Sequence, residues 1–205
     1  MKNLFKRLSA SGCSWKRCWL ERQGKNVEQP VESERKDNNV AEHAQPSTEG
    51  FVVEACFLRE LLAVLTTDAN EQMRFLTGPK VEQVRVVCRW AQPSALEKQS
   101  PVFVRASAQS VAAALIPIIE QGAELHIIAH SHPGSGPGGT NPSSTDIECL
   151  GELQKAGSRA IGCIFSRDGW VRFFTVSTKF SVQVLGTGTA KLTPCIFYVG
   201  YLDNY

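Results

Sequence analysis

Apolar residues recur at 57, 58, 61, 62 and 65, the three- and four-residue spacing of one helix face, so the first strong element is a helix over 57–65. Two β-rich runs follow, 71–78 and 81–90, on either side of a Gly78-Pro79-Lys80 turn. Residues 93–100 read as a loop and 102–105 as a short strand. An Ala/Ile-rich helix spans 110–121 and stops at Gly122. A strand over 125–132 ends in His-Ser-His-Pro, and a second helix over 144–156 stops at Gly157. A hairpin over 160–166 and 171–177 turns at Arg167-Asp168-Gly169, and 180–185 supplies one more strand. Strands and helices interleave while the hairpins demand antiparallel pairs. The expected class is α/β of the mixed kind, a mixed sheet with helices packed on it.

The ends differ from this centre. Residues 21–50 are Glu-, Lys-, Asn-, Gln-, Ser- and Pro-rich with few large apolar groups, the composition of a linker. Residues 1–20 mix Leu4, Phe5, Leu8, Trp15, Trp19 and Leu20 with Lys and Arg. They admit two readings: an untidy tail, or a short basic amphipathic helix that binds a protein partner or a membrane surface. The division is therefore 1–50 as basic segment and linker, 51–185 as the folded domain, and 186–205 as an extension. That extension, with Ile196, Phe197, Tyr198, Val199 and Tyr201, serves equally as an extra strand or a docking segment.

Charge and cysteine content narrow the setting. The net charge is +2, but residues 1–30 carry seven Lys/Arg against two Glu, leaving the rest net acidic. Bulk charge thus gives no argument for nucleic acid. The seven cysteines, at 13, 18, 56, 88, 149, 163 and 195, are odd in number and include no Cys-x-x-Cys. Those at 56, 88, 149 and 163 sit among apolar neighbours, as reduced core cysteines do. With no long apolar run for secretion or a transmembrane segment, a cytoplasmic location is expected.

The chemistry concentrates in IIAHSHPGSGPGGTNPSSTD, residues 127–146. Side chains two apart share a strand face, so His126, Ile128, His130 and His132 point one way. His130 and His132 are roughly 7 Å apart along the strand and can lean onto one cation. His126 lies roughly 13 Å from His130, too far to share it, and reads as a core histidine. Pro133 ends the strand. The glycine-rich span 134–142 can turn sharply, and Pro142 before Ser-Ser-Thr-Asp signals a helix start. Asp146 in the first turn can then project back toward the strand end. Two His and one Asp leave a fourth zinc position open, the arrangement of a catalytic ion. A lone His-x-His is usually structural, and a lone Asp at that place is usually a favoured helix-start residue; their combination points to one Zn2+.

This string resembles the signature of the JAMM, or MPN-positive, zinc metalloproteases: an upstream Glu, His-Ser/Thr-His-Pro, a spacer and Ser-x-x-Asp. The resemblance covers about residues 51–185, with a nine-residue spacer between Pro133 and Ser143 that is longer than usual. It implies a JAMM/MPN-like, cytidine-deaminase-like curved mixed β-sheet flanked by helices. It also implies a hydrolase acting as an isopeptidase or peptidase at the C-terminus of a ubiquitin-like protein, of the bacterial deubiquitinase-like branch, whose relatives also occur in antiviral operons. The family's glutamate opens the strand after the first helix in a Glu-x-x-Gly-x-Leu-x-Gly context. Glu71 matches at the Glu and at Gly78; Glu54 and Glu82 are rivals, one before the helix and one past the turn. By the same resemblance Glu71 is the general base and the Ser143 hydroxyl stabilises the oxyanion, while Ser143 also suits a helix N-cap. Ser131, on the opposite strand face, is expected to hydrogen-bond in support of the site. Two other functions stand beside this one: a DNA-associated repair-type JAMM protein, suggested only by the basic arm, and a non-catalytic MPN scaffold.

Overall fold

A computed structural model describes residues 48–200, and the basic segment with most of the linker lies outside these described residues. The architecture is mixed α/β. A seven-stranded mixed sheet is flanked by helices and accompanied by a four-stranded sheet and a two-stranded hairpin. In chain order the strands are β1 (Glu49–Glu54), β2 (Met73–Gly78), β3 (Lys80–Val81), β4 (Val84–Val87), β5 (Arg89–Ala91), β6 (Leu96–Ser100) and β7 (Phe103–Ala106), then β8 (Glu124–His132), β9 (Ile161–Ser166), β10 (Trp170–Phe174), β11 (Phe180–Leu185), β12 (Ala190–Thr193) and β13 (Ile196–Tyr198). The helices are α1 (Ala55–Leu65), α2 (Ala108–Ile119) and α3 (Ser144–Lys155), with one 3-10 turn at Pro137–Thr140.

The large sheet runs β12-β13-β10-β9-β8-β2-β5, and the small one β11-β1-β4-β3. α1 buries Leu58, Leu61 and Leu65 in a core shared with Phe51, Leu76, Ile127, Phe165 and Phe173. β9 is buried along its whole length, Ile-Gly-Cys-Ile-Phe-Ser, because it lies inside the sheet and pairs parallel with β8. That pairing fixes the geometry of the site. β8, α3 and β9 form a β-α-β crossover, so the chain leaves the C-terminal end of β8 and α3 begins there.

Several local expectations are corrected. The run 81–90 is not one strand: it divides at Cys88, with β3 and β4 in the small sheet and β5 at the edge of the large one. Glu82, at φ 57, makes the turn between β3 and β4. Residues 96–100 of the supposed loop form β6, which pairs with β7; its Leu-Glu-Lys-Gln-Ser is mostly exposed and lacks an apolar alternation to announce it. The strand begun at Glu71 starts at Met73, and the second helix runs 108–119, capped by Ser107. Glu49 and Gly50 already pair with Phe180 and Ser181. The tail contributes β12 and β13 to the large sheet, burying Ile196 and Phe197. Among the cysteines expected in the core only Cys163 is fully buried, Cys88 is half-buried, and Cys56 and Cys149 are exposed. No disulfide joins the five described cysteines. No helix of the described residues is long and apolar enough to cross a membrane.

Candidate metal centre

His130 and His132 project from the last turn of the pleat on β8, where the strand is pinned on one side to β2 (Met73 opposite His130) and on the other to β9 (Ser166 opposite His132). Asp146 comes from the first turn of α3. The Ser143 hydroxyl accepts the Asp146 N–H at 3.2 Å, and Asp146 Oδ2 accepts the Ser143 N–H at 2.8 Å, a reciprocal cap that satisfies two of the helix's free donors. The cap also sets the Asp146 rotamer, leaving the carboxylate facing the strand end.

The three side chains converge. His130 Nε2 and His132 Nε2 are 3.0 Å apart. They lie 3.2 and 3.3 Å from Asp146 Oδ1 and Oδ2, respectively. A tetrahedral zinc with bonds of about 2.0–2.1 Å requires its ligand atoms to stand roughly 3.3 Å apart. The two imidazoles meet different oxygens of Asp146, and one ligand atom from each of the three residues lies within 4.8 Å of the others, close enough to share one ion once the carboxylate turns. Among the described residues this is the one group of three or more His, Cys, Asp and Glu side chains able to hold a metal.

The electrostatics agree with the geometry. Burial alone would raise the Asp146 pKa, but hydrogen bonds from His130 and His132, the charge of His130 and the Ser143 N–H hold its carboxyl well below the usual range. For His132, burial favours the neutral ring, and it is outweighed by the hydrogen bond and charge of Asp146, the charge of Glu71 and a hydrogen bond to the Gly139 backbone, so the net shift is upward. That backbone contact also orients the ring. It exists because the spacer folds back: a Cβ on Gly139 would stand 2.8 Å from the Gly134 carbonyl carbon, so the two glycines pack against each other. The longer spacer is well held. Thr140 is buried, and Arg172 Nε and Nη2 donate to Thr140 Oγ1 and the Pro137 carbonyl at 3.2 Å each.

Glu71 reaches the same place from far away in the chain. Continuing the β2–β8 register sets it abreast of His132. Three neighbours fix its backbone: its N–H donates to the Ser100 carbonyl at 2.9 Å, its carbonyl accepts from Gln99 Nε2 at 3.1 Å, and the next N–H, of Gln72, donates to Ser131 Oγ at 3.0 Å. Ser131 thus does the supporting work expected of it, and β6, invisible in the sequence, supplies the other anchor. Glu71 is only 7% exposed. Burial pushes its carboxyl up, the positive fields of His130 and His132 pull it partly back, and Asp146 raises it again. The rival glutamates lie elsewhere: Glu54 precedes α1 and accepts the Cys56 thiol, and Glu82 sits in its exposed turn. Ser143 Oγ stands at the edge of the site with its one proton directed to Asp146 Oδ2 at 2.8 Å.

Neither the protein-family models nor the curated proteins include a match to this chain. Among solved structures it is similar to protein DSY2949 of Desulfitobacterium hafniense, known from a solution structure, at 18% identity and a TM-score of 0.48, over 66% of this chain and 94% of that one. It is also similar to AF2198, a JAB1/MPN domain protein from Archaeoglobus fulgidus, at 14% identity and a TM-score of 0.37, over 68% of this chain and 99% of that one.

Proposed function

We propose that this protein is a zinc-dependent isopeptidase or peptidase of the JAMM/MPN-positive kind, hydrolysing an amide bond at the C-terminus of a ubiquitin-like protein. One observation carries the reading: two imidazoles and a carboxylate converge closely enough to share one ion, with the desolvated Glu71 carboxyl in their field. His130, His132 and Asp146 would hold the ion. Zinc, when bound, supplies a Lewis acid that polarises a carbonyl and brings the pKa of water toward about 7. Glu71 takes the proton of the attacking water and returns it to the departing amine; a carboxyl raised by burial is suited to both transfers. The Ser143 hydroxyl turns from Asp146 to donate to the oxygen of the attacked carbonyl. The large sheet ends at β5, one strand beyond the strand that follows Glu71, and offers an edge for the extended tail of a ubiquitin-like protein.

A non-catalytic scaffold has no use for a buried carboxyl beside a three-ligand cluster, and a DNA-associated role draws on nothing in residues 48–200. The test is cleavage of a ubiquitin-like protein fused to a reporter, with and without chelator. Cleavage should stop on chelation and return with zinc, and Glu71→Ala and His130→Ala should each abolish it. If Glu71→Ala cleaves at the wild-type rate, the assignment of the base is wrong.

A further inference from the structure

The turn between β9 and β10, Arg167-Asp168-Gly169, has no part in the chemistry above, yet it grips both loops of the site. It starts beside the metal ligands, since Ser166 pairs with His132. Toward the base, Arg167 Nη2 donates to the carbonyls of Asp68 and Ala69 at 2.8 and 2.7 Å, three and two residues before Glu71. Toward the metal loop, Asp168 Oδ2 accepts the Gly136 N–H at 2.7 Å, and the Arg167 N–H donates to the Gly134 carbonyl at 3.3 Å. Asp168 is itself held by the buried Ser166 hydroxyl, which donates to its Oδ1 at 2.6 Å and accepts the Trp170 N–H at 3.0 Å.

The segment 66–70 needs such a hold. It is an exposed connection from α1 to β2 whose own hydrogen bonds are short-range, such as the Asn70 N–H to Asp68 Oδ1. Loops of this kind open at low free energy. A guanidinium bridging two successive carbonyls suits the task, because its planar donors are pre-organised. A general base must stay within hydrogen-bond reach of its proton, and a misplacement of about 1 Å costs roughly 100-fold in rate.

We infer that Arg167 is a positioning residue for Glu71, and that the 167–169 turn sets the separation between the base and the metal ligands. The inference rests on the reading of Glu71 as the base. It is tested on the full chain with Arg167→Ala, Arg167→Lys and Asp168→Ala. Three quantities are read: zinc affinity by competition with a chromophoric chelator, backbone amide exchange by mass spectrometry, and turnover of the ubiquitin-like reporter fusion. Arg167→Ala should keep wild-type zinc affinity, exchange faster over 66–74 but not over 134–141, and lose about 10- to 100-fold in kcat with KM unchanged. Arg167→Lys should recover part of that loss, and Asp168→Ala should loosen 134–141 instead. Wild-type exchange over 66–74 in Arg167→Ala overturns the inference, as does a kcat loss that merely follows lost zinc. A wild-type protein that binds zinc but cleaves no fusion overturns the proposed activity, and the exchange measurement still decides the role of Arg167.

Discussion

Strand β8 carries three histidines, at 126, 130 and 132, and its two ends use them in opposite ways. At the beginning, His126 is fully buried, with Nδ1 3.4 Å from Arg85 Nη1 and Nε2 3.4 Å from the Pro79 carbonyl. Arg85 is in turn paired with Glu49, at 3.1 Å, and with Glu124. Burial first, and then the guanidinium charge, push His126 down to about 4, against weaker opposing effects of Pro79, Glu124 and Gly78. At the other end, His130 and His132 turn both Nε2 atoms onto one carboxylate. One cluster is closed around a cation the protein already owns. The other collects lone pairs with no cation of its own. The same residue type on one strand is thus a buried prop or a candidate metal ligand according to what the neighbouring strands and helix bring to it.

The largest effect is expected at the His130–His132 end. Replacing both His130 and His132 by Ala should abolish stoichiometric zinc retention, as measured by elemental analysis after dialysis, and all cleavage with it; unchanged zinc content would sink the site. Glu71→Gln comes next: metal content should persist while kcat falls by about 100- to 10,000-fold, separating base from ligand.

The Arg85 end should respond in stability alone. Arg85→Ala leaves the buried Glu49 with only the more distant Arg159, at 3.8 Å, and should cost up to about 3–5 kcal/mol in denaturant unfolding. A folded sample of that variant should still bind zinc. The His126 end should also show in acid. Its folded pKa lies below the roughly 6.5 of an unfolded histidine, so the unfolded chain takes the proton first and stability falls as the pH drops from about 6.5 to 4, by about 3 kcal/mol, flattening below. His126→Leu should remove that part of the slope, seen as a difference between the two unfolding curves across this pH range. The smallest expected effect is Ser143→Ala, about 0.5–2 kcal/mol of stability from the lost cap.

What could be read from the chain was local. Period-two spacing put His130 and His132 on one strand face, and the Pro-Ser-Ser-Thr-Asp start put Asp146 on the first turn of a helix, because both facts depend on residues within one element. The Arg167-Asp168-Gly169 turn between two β-rich runs announced its hairpin for the same reason. What tertiary structure decided is every relation between elements distant in sequence. Only the register of β2 on β8 brings Glu71, rather than Glu54 or Glu82, abreast of His132. Only packing divides 81–90 between two sheets and sets Arg85 against His126. The hairpin strand β6 has an exposed, polar face and so left no periodic trace, yet it holds the backbone of Glu71. Arg167 looked like an ordinary turn residue, since its partners at Asp68 and Ala69 are backbone carbonyls, which every residue has and no side-chain pattern can mark.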